Sequence, residues 1–198
     1  MPYCTILAGP NGSGKSSIYN KLQPRGVFIN ADDIAKQLPD DVNTGARHIR
    51  AGRLAIERIN EALASNSDFC FETTLSSRHA LGVMRRAKEA GFSVAFIYVI
   101  LASPELNVAR VRFRVRNGGH SIPYQDVVRR YDASLKNLAP ALRLAEEYVI
   151  IDNSPAEPIL VFEGRSEQYL DLIGYNPDLP LHRLLLDAVQ VAFRFGLS

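Results

Sequence analysis

Eight residues at positions 9–16, GPNGSGKS, have the types and spacing suited to holding phosphate. Gly9, Gly14, Lys15 and Ser16 fill the fixed places of the pattern G-x-x-x-x-G-K-[ST]. Glycines let a backbone curl until successive N–H groups point at phosphate oxygens. A lysine there supplies a point charge for the β- and γ-phosphates, and a serine hydroxyl reaches Mg²⁺. Gly9, Pro10, Asn11, Gly12, Ser13, Gly14, Lys15, Ser16 and Ser17 are therefore the expected contacts of a nucleoside triphosphate, with Ser16 the metal contact.

Three more groups have chemistry to offer. INADDI carries Asp32 and Asp33. Either carboxylate is suited to take a proton from an acceptor hydroxyl; either is also suited to cap or open the helix that follows. FETTL carries Glu72, which suits it to assist Mg²⁺ or position an acceptor, and Thr73 and Thr74, which add hydroxyl contacts. Its bland reading is a polar strand end. Arg110, Arg112, Arg114 and Arg116, followed by Arg129 and Arg130, supply cations. On a helix Arg112 and Arg116 share one face, and Arg110 and Arg114 another. A guanidinium is always charged and binds two oxygens at once, which suits a transferring phosphoryl group. The same arginines would serve as a solvated face or a contact to a nucleic-acid backbone. His48, His79, His120 and His182 show no metal-ligand spacing, and only His120, in GGHSIP, is placed to contact a ligand from a loop.

The elements that must position these groups are legible as periodicity. Continuous apolar runs at Tyr3 to Ala8, Val27 to Ile29, Phe69 to Phe71, Ser93 to Leu101, Tyr148 to Ile151 and Ile159 to Phe162 predict strands. Helical spacing predicts helices at Ser17 to about Gln23, Thr44 to Ala64, Arg78 to Ala90, Leu106 to Arg116, Pro123 to Leu138 and Leu181 to Phe195. VRFRVR alternates like a strand, but Ser103-Pro104 supplies an N-cap with proline at the first helical position. Strands alternating with helices predict an α/β domain with a mainly parallel sheet and helices on both faces. Ligands then sit at the carboxyl ends of the strands. GPNGSGKS, NADD and ETTLSS each follow a strand, so they are expected to converge on one sheet edge.

Bulk properties narrow the class. The chain has 198 residues, 46% of them hydrophobic, and a net charge of +2. That length builds one domain, taken as 1–198, and the small charge argues against a nucleic-acid partner. No apolar run approaches the ~20 residues of a membrane span, and the N-terminus lacks the pattern of a signal peptide. The two cysteines, Cys4 and Cys70, sit in apolar strand runs and are expected as reduced core thiols. A cytoplasmic protein is expected.

Taken together, GPNGSGKSS, INADDIA, FETTLSSR and the run from Ser103 to Asn137 resemble the zeta-toxin family of P-loop kinases over residues 3 to 152. The resemblance implies a P-loop NTPase fold, a three-layer sandwich with about five strands, a helical lid at about 104–138, and a C-terminal strand and helix at 158–198. It implies an ATP/Mg²⁺-dependent kinase acting on a small hydroxyl acceptor, which in characterised members is UDP-N-acetylglucosamine. Its [D/N]-x-D motif falls on Asn30-Ala31-Asp32, making Asp32 the base, and its acceptor motif falls on Glu72 and Thr74. The lid arginines map to Arg116 and Arg129, with Arg112 and Arg130 beside them. Family members can be neutralised by a small helical antitoxin, the partner protein the resemblance adds. RVRNGGHSIP points to a subgroup of zeta-toxin-like ATPases whose acceptor the resemblance leaves open. The rival expectation is a nucleotide-dependent binding or regulatory module, an ATP switch or RNA-contacting protein.

Overall fold

The structure is a computed structural model and describes residues 1–39, 44–119, 121–166 and 168–193. Its strands are β1 (Tyr3–Ala8), β2 (Val27–Ile29), β3 (Phe69–Thr73), β4 (Ser93–Ile100), β5 (Glu147–Asp152), β6 (Ile159–Arg165) and β7 (Tyr169–Asp171). Its helices are α1 (Lys15–Leu22), α2 (Ala31–Gln37), α3 (Thr44–Ala64), α4 (His79–Glu89), α5 (Pro104–Arg116), α6 (Tyr124–Leu142) and α7 (Pro180–Phe193). They form an α/β P-loop fold around one sheet, ordered β2-β3-β1-β4-β5-β6-β7.

The first five strands in that order run parallel. The expected five-strand core is present, and the sheet is larger than expected. β6 pairs antiparallel with β5, and β7, which no apolar run predicts, pairs antiparallel with β6. An apolar run does not specify strand direction; the short connection from Asp152 to Ile159 sets that of β6, since a parallel neighbour needs a longer crossover.

Side chains alternate across the sheet. Cys4 and Ile6 of β1, Phe96 and Tyr98 of β4, and Tyr148 and Ile150 of β5 face a core shared with α3, α4, α6 and α7. Leu7, Ile97, Val99 and Ile151 face the other way and pack on Ile18 of α1. Helices thus cover both faces, unequally. Beyond α1 that second face carries an apolar hollow of about 420 Å³ lined by Leu22, Ile97, Val149 and Leu160.

Local chemistry explains the helix ends. Ser103 Oγ accepts from Leu106 N at 3.5 Å and Pro104 opens α5, which settles VRFRVR as helix. Asn30 caps α2: its Oδ1 accepts from Asp32 N at 2.8 Å and Asp33 N at 3.4 Å. Neither aspartate caps; both lie in the first turn, where their charge suits the helix dipole. α6 continues past Leu138 to Leu142, with Pro140 in its last turn. Among the described residues no helix is long and apolar enough to cross a membrane.

Cys4 and Cys70 are buried free thiols. Burial, with each other's charge adding in the case of Cys4 and that of Glu72 in the case of Cys70, pushes both up to about 12. The thiolate is the reactive form. A disulfide reagent at mildly alkaline pH is therefore expected to leave the folded protein unlabelled and to modify both cysteines once it is unfolded. Rapid labelling of the folded protein would contradict this placement.

Candidate functional site at the carboxyl ends of the parallel strands

The glycine loop leaves β1 at Gly9 and enters α1 at Lys15. Gly9 N donates to Thr73 O at 3.1 Å, tying the loop to the end of β3. A Cβ on Gly9 would lie 2.0 Å from Val99 O, a backbone atom of β4 that cannot yield. Gly9→Ala is expected to cost roughly 1–3 kcal/mol of stability through overpacking, and to weaken nucleotide binding with it. Thermal melts read the first and calorimetry the second; an unchanged melting point would contradict the close approach.

Gly14 caps α1 with a φ of 94° and no side-chain cap bond, which leaves the helix N-terminus to an anion. Lys15 is 5% exposed. Its Nζ donates to Gly9 O at 2.8 Å and Pro10 O at 3.1 Å, and lies 3.5 Å from Glu72 Oε1. Asn30 Nδ2 donates to Glu72 Oε2 at 2.9 Å. Glu72 thus links the loop lysine to the cap of α2. Among the described residues the buried Ser13 Oγ has no hydrogen-bond partner, while Ser16 and Ser17 are exposed at the start of α1.

A cavity of about 580 Å³ opens beside the loop. Ser16, Asn30, Asp32, Asp33 and Glu72 line one side. Lys36, Arg47, His48, Arg114 and the turn Asn117–Gly119 complete it. Asp33 is engaged by Lys36 at 2.7 Å. Among the described residues the Asp32 carboxylate has no hydrogen-bond or ion-pair partner.

The hydroxyls of Thr73 and Thr74 are taken up in their own turn. Thr73 Oγ1 accepts from Leu75 N at 3.1 Å, and Thr74 Oγ1 lies 2.8 Å from Ser76 Oγ. Neither threonine lines the cavity. Leu75 behind them is buried with a left-handed φ of 56°, and Asn137 Nδ2 holds its carbonyl at 2.8 Å. Such a conformation costs roughly 1–3 kcal/mol and persists only where neighbours enforce it.

The arginines divide by face. Val108 and Val111 of α5 pack on Val127 of α6. That contact turns Arg114 into the cavity and Arg110 toward β5, where Arg110 Nη2 donates to Asn153 O at 2.7 Å. Arg112 and Arg116 are exposed on the far side, flanking Phe113, which is 69% exposed. Arg129 pairs with Asp126 at 2.8 Å on the surface, and its hydrogen bond holds the Asp126 carboxyl below its usual range. Arg130 reaches the loop, donating to Asn11 Oδ1 at 3.0 Å. His120 lies outside the described residues. The site therefore gathers Lys15, Ser16, Asp32, Asp33, Glu72 and Arg130, and leaves Arg112, Arg116 and Arg129 apart.

Sequence reasoning counted Arg114 among the cations but preferred Arg116 and Arg129, and it passed over Arg47, His48, Asn107 and Asn153 as site residues. Asn107 Nδ2 donates to Asn11 O, and Asn153 Nδ2 to Ser13 O, each at 2.7 Å. Asn153 carried a usable signal: DNS follows an apolar strand, as NADD and ETTLSS do. Next to it, Asp152 Oδ2 lies 3.2 Å from His182 Nε2, while Asn176 N donates to His182 Nδ1 at 3.0 Å, so the imidazole carries its proton on Nε2. This buried pair fastens α7 to β5 and does not reach the cavity.

Comparison with known proteins bears on the same region. The family profile described as "AAA domain" matches residues 5–141. An uncharacterized protein of Haemophilus influenzae is 38% identical over 130 residues, 65% of this chain and 89% of that one. A chain of the PezAT chromosomal toxin-antitoxin system of Streptococcus pneumoniae aligns with a TM-score of 0.60 at 18% identity, covering 80% of this chain and 71% of that one. The AvrRxo1-ORF1:-ORF2 structure with ATP aligns with a TM-score of 0.72 at 17% identity, over 100% of this chain and 66% of that one. The Pnkp1/Rnl/Hen1 RNA repair complex aligns at 0.56 and 20% identity, over 80% of this chain and 48% of that one. At these identities the structural likeness is one of fold.

Proposed function

The chain belongs to the AAA-domain family, and we propose that within it the protein is an ATP/Mg²⁺-dependent kinase of the zeta-toxin kind, acting on a hydroxyl of a small acceptor. The observation that carries this reading is the cavity beside the glycine loop, lined by the Asp32 carboxylate, unpartnered among the described residues, and by Glu72, whose other contact is the loop lysine Lys15 at 3.5 Å. Its size is that of a small-molecule site. Residues 1–198 act as one unit, with residues 104–138 as its lid.

The residues fit a nucleoside triphosphate with Mg²⁺. The uncapped start of α1 and the orphaned Ser13 hydroxyl suit phosphate oxygens, and Ser16 Oγ suits the metal. An ion of this kind keeps its waters and takes phosphate oxygens as ligands, so it asks for few ligands from the protein. When bound, Mg²⁺-ATP would supply the phosphoryl group, and the ion would offset the charge of the phosphates.

The chain's own residues do the rest. Lys15 leaves its carbonyl partners for phosphate oxygens. Asp32 accepts the acceptor's hydroxyl proton as the acceptor oxygen bonds to the γ-phosphorus and the β–γ bridge breaks, releasing ADP. Glu72, held by Asn30, orients the acceptor. Arg114 and Arg130 are the arginines best placed to face the transferring group, ahead of Arg116 and Arg129. A nucleotide sugar such as UDP-N-acetylglucosamine is within the acceptor class. By analogy with the PezAT toxin-antitoxin system, a protein antitoxin is the partner to seek.

The test is ATP consumption with and without a panel of nucleotide sugars, nucleosides and small alcohols, with product masses determined. Consumption stimulated by an acceptor that gains one phosphoryl group supports the reading. The exposed Arg112 and Arg116 beside Phe113 favour one rival, an RNA-contacting module. RNA affinity falling steeply with salt, without acceptor phosphorylation, would favour it instead.

A further inference from the structure

Two asparagines from outside the glycine loop grip its carbonyls. Asn107 Nδ2, on α5, donates to Asn11 O at 2.7 Å, and Asn153 Nδ2, just past β5, donates to Ser13 O at 2.7 Å. Asn107 is 0% exposed and Asn153 8%. Both are themselves held. Asn107 lies in the buried seam of α5 beside Val108 and Val111. Asn153 N donates to Ile100 O at 2.9 Å, and Arg110 Nη2 donates to Asn153 O at 2.7 Å.

A trans peptide is planar and carries its C=O and N–H on opposite edges. Pulling the Asn11 carbonyl toward α5 therefore turns the Gly12 N–H away from α5. Pulling the Ser13 carbonyl toward β5 turns the Gly14 N–H away from Asn153. Between them Ser13 N donates back to Pro10 O at 3.2 Å, which closes the turn. Among the described residues neither the Gly12 nor the Gly14 N–H donates to a protein oxygen. The approach at Asn153 is close: a Cβ on Gly14 would lie 2.1 Å from its Nδ2. The glycine at position 14 thus serves the grip as well as the curl.

We propose that Asn107 and Asn153 are positioning residues which, by holding two loop carbonyls outward, aim the Gly12 and Gly14 N–H groups at the phosphate chain. The proposal rests on the nucleotide reading above and adds how the loop's donors are oriented. Neither asparagine touches the phosphates. Their effect is on phosphate affinity, not on the acceptor.

Asn153→Leu and Asn107→Leu remove the donor at similar volume and add no charge. Three probes are titrated by calorimetry: Mg²⁺-ATP, Mg²⁺-pyrophosphate and adenosine. Each variant is expected to weaken ATP and pyrophosphate by roughly tenfold to a hundredfold, since a buried carbonyl is left unpaired, and to leave adenosine unchanged. In turnover assays KM for ATP rises while KM for the acceptor holds. Two variants on different elements giving this phosphate-selective pattern would exclude a general loss of fold. Parent-like pyrophosphate affinity in both variants overturns the proposal alone. So does equal weakening of pyrophosphate and adenosine, which marks a merely structural role. A parent protein that binds neither ATP nor pyrophosphate overturns the nucleotide reading and this proposal together.

Discussion

Lys15→Met is expected to lower phosphoryl transfer by roughly 10²–10³-fold, the loss typical of removing one preorganised charge or donor from a transition state. The Lys15 ammonium is buried at the base of the loop, on the Gly9 and Pro10 carbonyls and 3.5 Å from Glu72. Methionine keeps the stem and its packing, so the loss reads the charge. Some stability goes too, because among the described residues Glu72 then keeps the Asn30 donor alone. A melting curve separates the two: a folded variant that neither binds ATP tightly nor transfers phosphate is the expected result. Turnover at the parent rate would remove the loop from the mechanism.

Asp32→Asn is expected to leave Mg²⁺-ATP affinity intact and to lower kcat by roughly 10²–10⁴-fold, the usual worth of general-base catalysis. The neighbour is the control. Asp33 lies one residue on and lines the same cavity, but its carboxylate is engaged by Lys36 at 2.7 Å. That pair is exposed, and such pairs contribute little, about 0–1 kcal/mol. Asp33→Asn is therefore expected to change kcat little. The ratio of the two variants decides which aspartate takes the proton. Equal losses would mean the carboxylates act as a pair; a larger loss at Asp33 would reverse the assignment. Neither backbone position is disturbed, because Asn30 caps the turn through their N–H groups.

The parts of this molecule legible in the sequence are those whose physics is local. GPNGSGKS encodes its own curl, and the strands before NADD and ETTLSS place both on the ligand edge. The α5 cap, Ser103-Pro104, was equally readable. What the sequence left open depends on packing between elements. RVRFRVR, residues 110–116, spaces its arginines evenly, so spacing treats Arg110 and Arg114 like Arg112 and Arg116. Only the seating of Val108 and Val111 on Val127 decides which pair faces the site. The choice of Asp32 or Asp33 as the cap missed Asn30, whose side chain sits at the strand end and reaches both N–H groups. The grip of Asn107 and Asn153 joins positions 96 and 140 residues from their loop partners. No local pattern records that distance. The direction of β6 and the existence of β7 likewise depend on how the chain returns past β5.

The measurement that bears most directly on the central claim is the fate of the γ-phosphate. ATP labelled there is given to the protein in a single turnover, with Mg²⁺ and the acceptor panel, and the label is partitioned between free phosphate and organic product. The account predicts label on the hydroxyl of a small acceptor, lost in Lys15→Met and Asp32→Asn and kept in Asp33→Asn. Label released only as free phosphate, at a rate indifferent to every acceptor and to Asp32, would contradict it.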